Sequence, residues 1–333
     1  MRIGLSYDLK STVAGHAGVE DALEEYDSPE TVAMISTALE SLGHQVIKLG
    51  GGTHFLDNIR REKVNLVFNI AEGHGNFRSR EAQVPALLEM LDIPYTGSDP
   101  LTLAVCLDKP LTKKLAALEG IATPGWLVAG SEEEIRRAPW NKVKFPIIVK
   151  PAAEGSSKGI RLTSLAHNVP QAEEEARRIF AGYRQPVMVE EFISGDEVTV
   201  GITGNSPPKI VGMMRVVPKK PVEHFVYSVE VKRDYLNQVD YECPARLPRR
   251  TLDTLEHFAL KAFKTLGCRD FSRVDFRIGR DGAPYFIEIN PLPGLGSYSD
   301  LVIMALMLGW KYEALISSVF NAALERYPQC VRA

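Results

Sequence analysis

Residues 271–299 read FSRVDFRIGRDGAPYFIEINPLPGLGSYS, and their alternation decides the fold of the C-terminal part of the chain. Val274, Phe276 and Ile278 alternate with Arg273, Asp275 and Arg277 before an Asp281-Gly282 pair. Tyr285, Ile287 and Ile289 alternate with Phe286, Glu288 and Asn290 after it. Period-two patterning around Asp-Gly predicts a β-hairpin. With Asp281-Gly282 as a two-residue loop, Arg280 faces Ala283, Asp275 lies opposite Glu288, and Arg273 lies opposite Asn290. These four polar groups then share one face. Two carboxylates and an amide oxygen so placed suit Mg²⁺, which takes oxygen ligands and shares them with phosphates. An amphipathic hairpin with a hydrated face has the same pattern. The glycine- and proline-rich run from Asn290 to Ser297, leaving the hairpin beside the carboxylates, favours the metal site.

Outward from the hairpin, 333 residues suggest two or three domains. Hydrophobic residues make up 45% and charged residues 24%, with net charge −3. That balance gives no polybasic nucleic-acid footprint and no acidic tail. No apolar run reaches a membrane span, and the first residues read as a strand and not a leader, so a cytoplasmic protein is expected. Cys106, Cys243, Cys268 and Cys330 are scattered without a Cys-x-x-Cys pair, which indicates neither zinc nor a disulfide framework.

The first hundred residues alternate strand signals (3–7, 45–49, 65–70) with helix signals (28–42, 82–91), predicting a parallel α/β unit. Ser28-Pro29-Glu30 supplies a cap, a first-turn proline and an early acid. Gly50-Gly51-Gly52 lacks dinucleotide-fingerprint spacing and reads as a plain turn. Helices at 101–107, 110–118, 171–181, 251–266 and within 301–326 are expected, as are strands at 145–150, 186–192, 197–203, 210–217 and 225–231. The expected fold class is α/β and α+β. Its divisions are an N-terminal parallel α/β domain over 1–107, a small central unit over 108–185 and a C-terminal antiparallel unit over 186–333.

A second stretch, Lys150-Pro-Ala-Ala-Glu-Gly-Ser-Ser-Lys-Gly-Ile160, puts a lysine at the end of a buried strand and a Gly/Ser turn after it. The lysine charge, backbone N–H groups and the Ser156 and Ser157 hydroxyls can wrap phosphate oxygens. It is no P-loop, since G-x-x-x-x-G-K-[ST] is absent. Most such loops are mere connections; beside an oxygen-rich hairpin, phosphate binding is favoured. Lys109 precedes a helix and alone reads as a surface lysine. Glu190 and Glu191 at a strand end, with Phe192, Ile193 and then Glu197, read either as hydrated acids or as partners for an adenine amino group and ribose hydroxyls.

Taken in order, Lys109, Lys150, the loop from Glu154 to Ile160, Glu190 to Ile193, Glu197, Arg273, Asp275, Glu288 and Asn290 resemble the ATP-grasp superfamily, and within it the D-alanine–D-alanine ligases. The resemblance spans roughly 70–305. It implies ATP held between two α+β subdomains, behind the N-terminal α/β domain. Lys109 and Lys150 would contact the phosphates, with Glu154, Gly155, Ser156 and Ser157 in the closing loop. Glu190, Glu191, Phe192 and the Ile193 backbone would meet adenine, and Glu197 the ribose. Asp275, Glu288 and Asn290 would bind two Mg²⁺ ions, with Mn²⁺ a possible substitute. Arg273 and the Gly294 backbone would stabilise an oxyanion, and Ser299 would hold the second substrate's carboxylate. The implied reaction phosphorylates a carboxylate with ATP, then lets an amine displace phosphate from the acyl phosphate. The implied partners are amino acids and a second copy of the chain in a homodimer, with no nucleic acid and no membrane.

The acceptor side departs from that pattern. Residues 21–30, DALEEYDSPE, stand where the family has a substrate-binding glutamate, so Glu24, Glu25 and Glu30 are candidates. Residues 71–81, AEGHGNFRSRE, alter a second family run and offer Glu72. Lys232-Arg-Asp-Tyr235 stands for a Lys-Tyr pair, with two residues intervening. Asp300 follows Ser299 where an apolar residue is usual; it either caps the following helix or faces a more polar substrate. A ligase for another amino acid or small acid, a non-catalytic nucleotide-binding module and a dehydrogenase are the alternatives. The last lacks its fingerprint, and binding alone does not call for Arg273.

Overall fold

The computed structural model describes residues 1–13 and 19–331. Three strands, β1 (Arg2–Ser6), β2 (Gln45–Gly50) and β3 (Leu66–Asn69), form a parallel sheet in the order β2-β1-β3. All four residues of β3 are buried, as in parallel strands covered on both faces. Helix Pro29–Ser41 begins as expected, with the Ser28 side chain accepting from the Thr31 N–H. The glycine run is not a plain turn. Gly51 is the N-cap of an unforeseen helix, Gly52–Arg61, and a Cβ at Gly51 would lie 1.7 Å from Asp8 Oδ1.

The second sheet is antiparallel: β4 (Trp126–Ala129), β5 (Ile147–Pro151), β6 (Leu165–Ala166) and β7 (Val187–Glu191), ordered β4-β7-β5-β6. Helix Val169–Tyr183 covers one face, its Ala172, Ala176 and Ile179 packing with Ile147, Val149 and Val189. The third sheet, also antiparallel, holds β8 (Gly195–Thr203), β9 (Lys209–Pro218), β10 (Val239–Glu242), β11 (Phe271–Gly279) and β12 (Pro284–Asn290), ordered β10-β9-β8-β11-β12. Leu255, Ala259 and Phe263 of helix Arg249–Thr265 meet Val198, Val200, Phe276 and Phe286 on its apolar face.

Two expectations change, and one contact is new. A division at 185/186 separates β7 from its hydrogen-bonded neighbours β4 and β5, so the change of sheet falls between Glu191 and Gly195. Residues 225–231 are not a strand, because Ser228 caps a short helix, Val229–Arg233, accepting from the Val231 N–H. The chain end returns to its beginning: Ile316, Val319 and Phe320 of helix Tyr312–Arg326 share a core with Ile35 and Leu39 of helix Pro29–Ser41. That apolar face would otherwise meet water. No single described helix is long and apolar enough to cross a membrane.

Candidate active site

The hairpin β11–β12 sets the register of the site. Arg273 pairs with Asn290 and Asp275 with Glu288, as the alternation predicts, but by a different route. Gly279 N–H donates to Ala283 O, so the loop has three residues, Arg280 to Gly282, and not two. A bulge at Asp275/Phe276 takes up the one-residue shift, making Phe286, not Ile287, the partner of Phe276. The two departures cancel at the polar face. The bulge also breaks strict alternation on β12: Phe286 and Ile289 enter the core, while Ile287 and Glu288 both line a cleft.

That cleft lies between the second and third sheets, with Ile148, Lys150 and Glu190 on one wall and Thr199, Asp275 and Ile287 on the other. Its charges are paired. Lys109 Nζ lies 2.8 Å from Glu288 Oε2 and donates to the Glu154 carbonyl at 2.5 Å. Lys150 Nζ donates to Glu190 Oε2 at 2.7 Å. Glu190 has a second partner that sequence reasoning did not find: Lys113, fully buried, 2.5 Å from Oε1. Lys113 stands four residues after Lys109 in helix Lys109–Leu118, so both reach the same side. Burial pushes the Lys113 ammonium down to about 8, opposed by Glu190. Burial also acts against ionised Glu190, but Lys113 and Lys150 outweigh it and hold this carboxyl below its ordinary value. Glu288 is lowered likewise, burial being outweighed by Lys109 and Lys150.

At the other end of the cleft Phe192, Ile193 and Glu197 come together around Arg277, which sequence reasoning left without a role. Its Nε donates to Ile193 O at 2.9 Å, Nη2 to Gly195 O at 3.0 Å, and Nη1 to Glu197 Oε2 at 3.1 Å and Phe225 O at 2.9 Å. The guanidinium also stacks 4.6 Å from the Phe192 ring centre. Burial raises Glu197, against the pull of Arg277. Glu191 sits on the rim, 3.6 Å from Lys144.

The 154–160 loop bridges two clefts. Ser157 lines the one just described, while Ser156 lines its neighbour. Both serines are left-handed, with φ of 51° and 59°, a conformation costly for residues with a Cβ. Ser157 Oγ donates to Tyr227 O at 3.1 Å, and Val229 N–H to Ile160 O at 3.0 Å, so the loop is clasped to residues 227–229. Glu154 turns away from both clefts. Its Oε2 lies 3.0 Å from Arg80 Nη2 and 2.6 Å from Lys158 Nζ, while Glu25 lies 2.8 Å from each of the same cations. All four groups are buried. Burial acts against ionised Glu25, but Arg80 and Lys158 hold it down at about 2. Removing one member of such a set costs about 3–5 kcal/mol by leaving its partners buried and unpaired. Arg80 carries no local sequence signal, because its partners lie 55 and 74 residues away.

The neighbouring cleft is lined by Asp27, Glu72, Ser156, Tyr235, Gly294 and Ser299, among others. Its acids are unevenly matched. Glu24 has Arg233 at 2.7 Å and Lys10 at 3.7 Å. Asp27 is pushed up to about 7 by burial and by Asp8, and burial with nearby acids raises Glu72 well above the carboxylate range. Glu30 is exposed in the first turn of its helix and does not line this cleft. A Cβ at Gly294 would fall 2.8 Å from Ser299 Oγ, so a side chain there would displace that hydroxyl. Asp300 does not cap the following helix by its side chain. Ser299 occupies the N-cap and Asp300 is the first helical residue, its Oδ2 3.4 Å from Arg273 Nη1. Four residues line both clefts: Tyr227, Lys232, Arg273 and Asp300.

The register sets Asp275 opposite Glu288 and Asn290 opposite Arg273; the two carboxylates line the nucleotide cleft and Asn290 the neighbouring one. Asp275 accepts from Thr199 Oγ1 at 2.5 Å and from Arg273 at 2.8–3.2 Å, and Asn290 Oδ1 accepts from Leu292 N–H at 2.8 Å. Among the described residues no three His, Cys, Asp or Glu side chains stand together as a metal cluster. Two carboxylates and an amide still form an all-oxygen set. That set fits Mg²⁺, which keeps part of its shell for water and phosphate.

The family model described as D-ala D-ala ligase C-terminus matches residues 117–321. A D-alanine–D-alanine ligase of Aquifex aeolicus is 34% identical over 294 residues, covering 88% of this chain and 94% of that protein. An uncharacterized protein of Sinorhizobium fredii is 32% identical over 304 residues, covering 88% and 87%. Among solved structures, the D-alanine–D-alanine ligase of Bacillus anthracis complexed with ATP shares the fold at a TM-score of 0.77, with 23% identity over 99% of both chains.

Proposed function

We infer the function of this chain from the premise that it belongs to the D-alanine–D-alanine ligase family. It is an ATP-dependent, ADP-forming ligase of ATP-grasp fold, which joins a carboxylate to an amine. The proposed product is D-alanyl-D-alanine or a similar dipeptide, the former serving peptidoglycan biosynthesis. The observation carrying this reading is Arg273, which lines both clefts where they meet and faces Asp275, Glu288 and Asn290.

ATP takes the cleft between the second and third sheets. Adenine lies by Phe192 and the Ile193 backbone, ribose by Glu197, and phosphates by Lys109, Lys150 and the Ser156–Ser157 turn. Asp275, Glu288 and Asn290 would hold two Mg²⁺ ions, or Mn²⁺, which when bound neutralise phosphate charge. The first amino acid enters the neighbouring cleft with its ammonium toward Asp27 and Glu72. Those two acids lack strong counter-ions, and a bound cation favours their ionised forms. The carboxylate attacks the γ-phosphorus, the bond to ADP breaks, and an acyl phosphate forms. The second amine then attacks the acyl carbon. Arg273 and the Gly294 N–H face the developing oxyanion. The C–O bond breaks, phosphate leaves, and the nitrogen gives up its extra protons. Clasping of the 154–160 loop to residues 227–229 keeps water from the acyl phosphate.

The subdomains proposed are 1–107, 108 to the β7–β8 junction, and the remainder. The chain is proposed to act in the cytoplasm as a homodimer, which sedimentation would test. Incubation with ATP, Mg²⁺ and a panel of D- and L-amino acids tests the function. Phosphate release that requires amino acids, with a dipeptide mass, is expected; release independent of them overturns the reading.

A further inference from the structure

Asp300 is the one carboxylate among the described residues that lines both clefts; the hairpin pair Asp275 and Glu288 lines only the nucleotide side. Its surroundings make it an unfinished hydrogen-bonding group. It is 9% exposed and is the first residue of its helix. Its contacts are Arg273 Nη1 at 3.4 Å and Tyr227 Oη at 3.5 Å, both at the outer edge of hydrogen-bond length. Arg273 commits Nε and Nη2 to Asp275 at 2.8–3.2 Å, so it does not saturate Asp300. An ionised carboxylate accepts about four hydrogen bonds.

The wall around it is polar too. Tyr227 and Tyr241 hydroxyls lie 2.6 Å apart, and either can donate. Asp300 thus heads a patch of two hydroxyls and a carboxylate, one residue from Ser299. Of the other acids lining the acceptor cleft, Glu24 and Glu25 are engaged with cations, and Asp27 and Glu72 are the pair assigned to the first amino acid's ammonium.

Resting on the proposed ligase reading, we propose that Asp300, with Tyr227 and Tyr241, selects an acceptor amino acid whose short side chain carries a hydrogen-bond donor, a hydroxyl or an ammonium. An acceptor with its carboxylate on Ser299 and its amine directed to the junction presents its β-substituent to this patch. A methyl group there would strip water from Asp300 and give nothing back, and sites built to bond a donor reject analogues that lack it.

The test uses the whole chain with ATP, Mg²⁺ and an equimolar mixture of alanine, serine, 2-aminobutyrate and 2,3-diaminopropionate, each as both enantiomers. Tandem mass spectrometry identifies the C-terminal residue of every dipeptide, which is the acceptor. Serine or diaminopropionate is expected there at least tenfold over alanine and 2-aminobutyrate. Asp300→Leu should shift that ratio at least tenfold toward the apolar pair. Asp300→Asn separates the two donors: a hydroxyl acceptor survives it, and an ammonium acceptor is lost. Alanine or 2-aminobutyrate dominating the C-terminal position in the unmodified chain overturns the proposal while leaving the ligase reading standing. That result needs no variant to fold. Absence of any dipeptide and of amino-acid-dependent phosphate release overturns both together.

Discussion

The two clefts that meet at Arg273 are balanced in opposite ways. On the nucleotide side every carboxylate near the lysines has its cation: Glu190 has Lys113 and Lys150, and Glu288 has Lys109. Both acids are held below their ordinary range. On the acceptor side Asp27 and Glu72 are driven the other way, chiefly by burial. One half is assembled before any ligand arrives. The other is short of positive charge, which an amino-acid ammonium would supply.

Replacing Arg273 should have the largest effect, because it serves both halves. Arg273→Ala is expected to lower kcat/KM about 1,000-fold. A loss confined to the KM of one substrate would assign it to that half alone. Arg277→Met should raise the KM for ATP about 10- to 100-fold with little change in kcat, since its donors fix the Ile193–Gly195 turn, Glu197 and Phe225. An unchanged KM would reduce Arg277 to a structural strut, and its unfolding midpoint would then be the quantity that moves.

The pH response should separate the halves next. Asp27, with a value near 7, is neutral below that pH, and ammonium binding favours its ionised form. The KM of the first amino acid should therefore fall as pH rises toward 7, by up to about tenfold per unit, and level off above it. The KM for ATP should stay flat over the same window. The folded state answers in the opposite sense: because Asp27 is raised on folding, its contribution to stability is full in acid and is lost as pH rises through 7. The smallest effect is expected from Glu30→Ala. This side chain is exposed, and steady-state constants should stay within about twofold. A larger change would return Glu30 to the acceptor cleft.

The same contrast governs what could be read from the chain. Nucleotide-side residues sit on strands and helices with regular periods, so their order and faces were visible. Even there the hairpin teaches care, because a three-residue loop and a bulge compensated each other and left the Asp275–Glu288 pairing as the alternation predicts. Arg277 and Lys113 were within reach: one shares a period-two face with Arg273 and Asp275, and the other follows Lys109 by one helical turn. The acceptor wall was not. Most of its residues come from 24–27, 72, 227–241 and 294–300, short pieces far apart in the chain and too brief to show a period together. Residues 225–231 misled for that reason, their apolar alternation giving way to a capped helix at Ser228. Arg80 acquires meaning only through partners far away in sequence.

The buried quartet of Glu25, Arg80, Glu154 and Lys158 has a consequence for how the chain holds together. It ties the 21–30 segment, the 70–80 run and the phosphate loop into one piece. Three stretches far apart in sequence thereby share one set of buried charges, and loss of any one member leaves charge without a partner in all three.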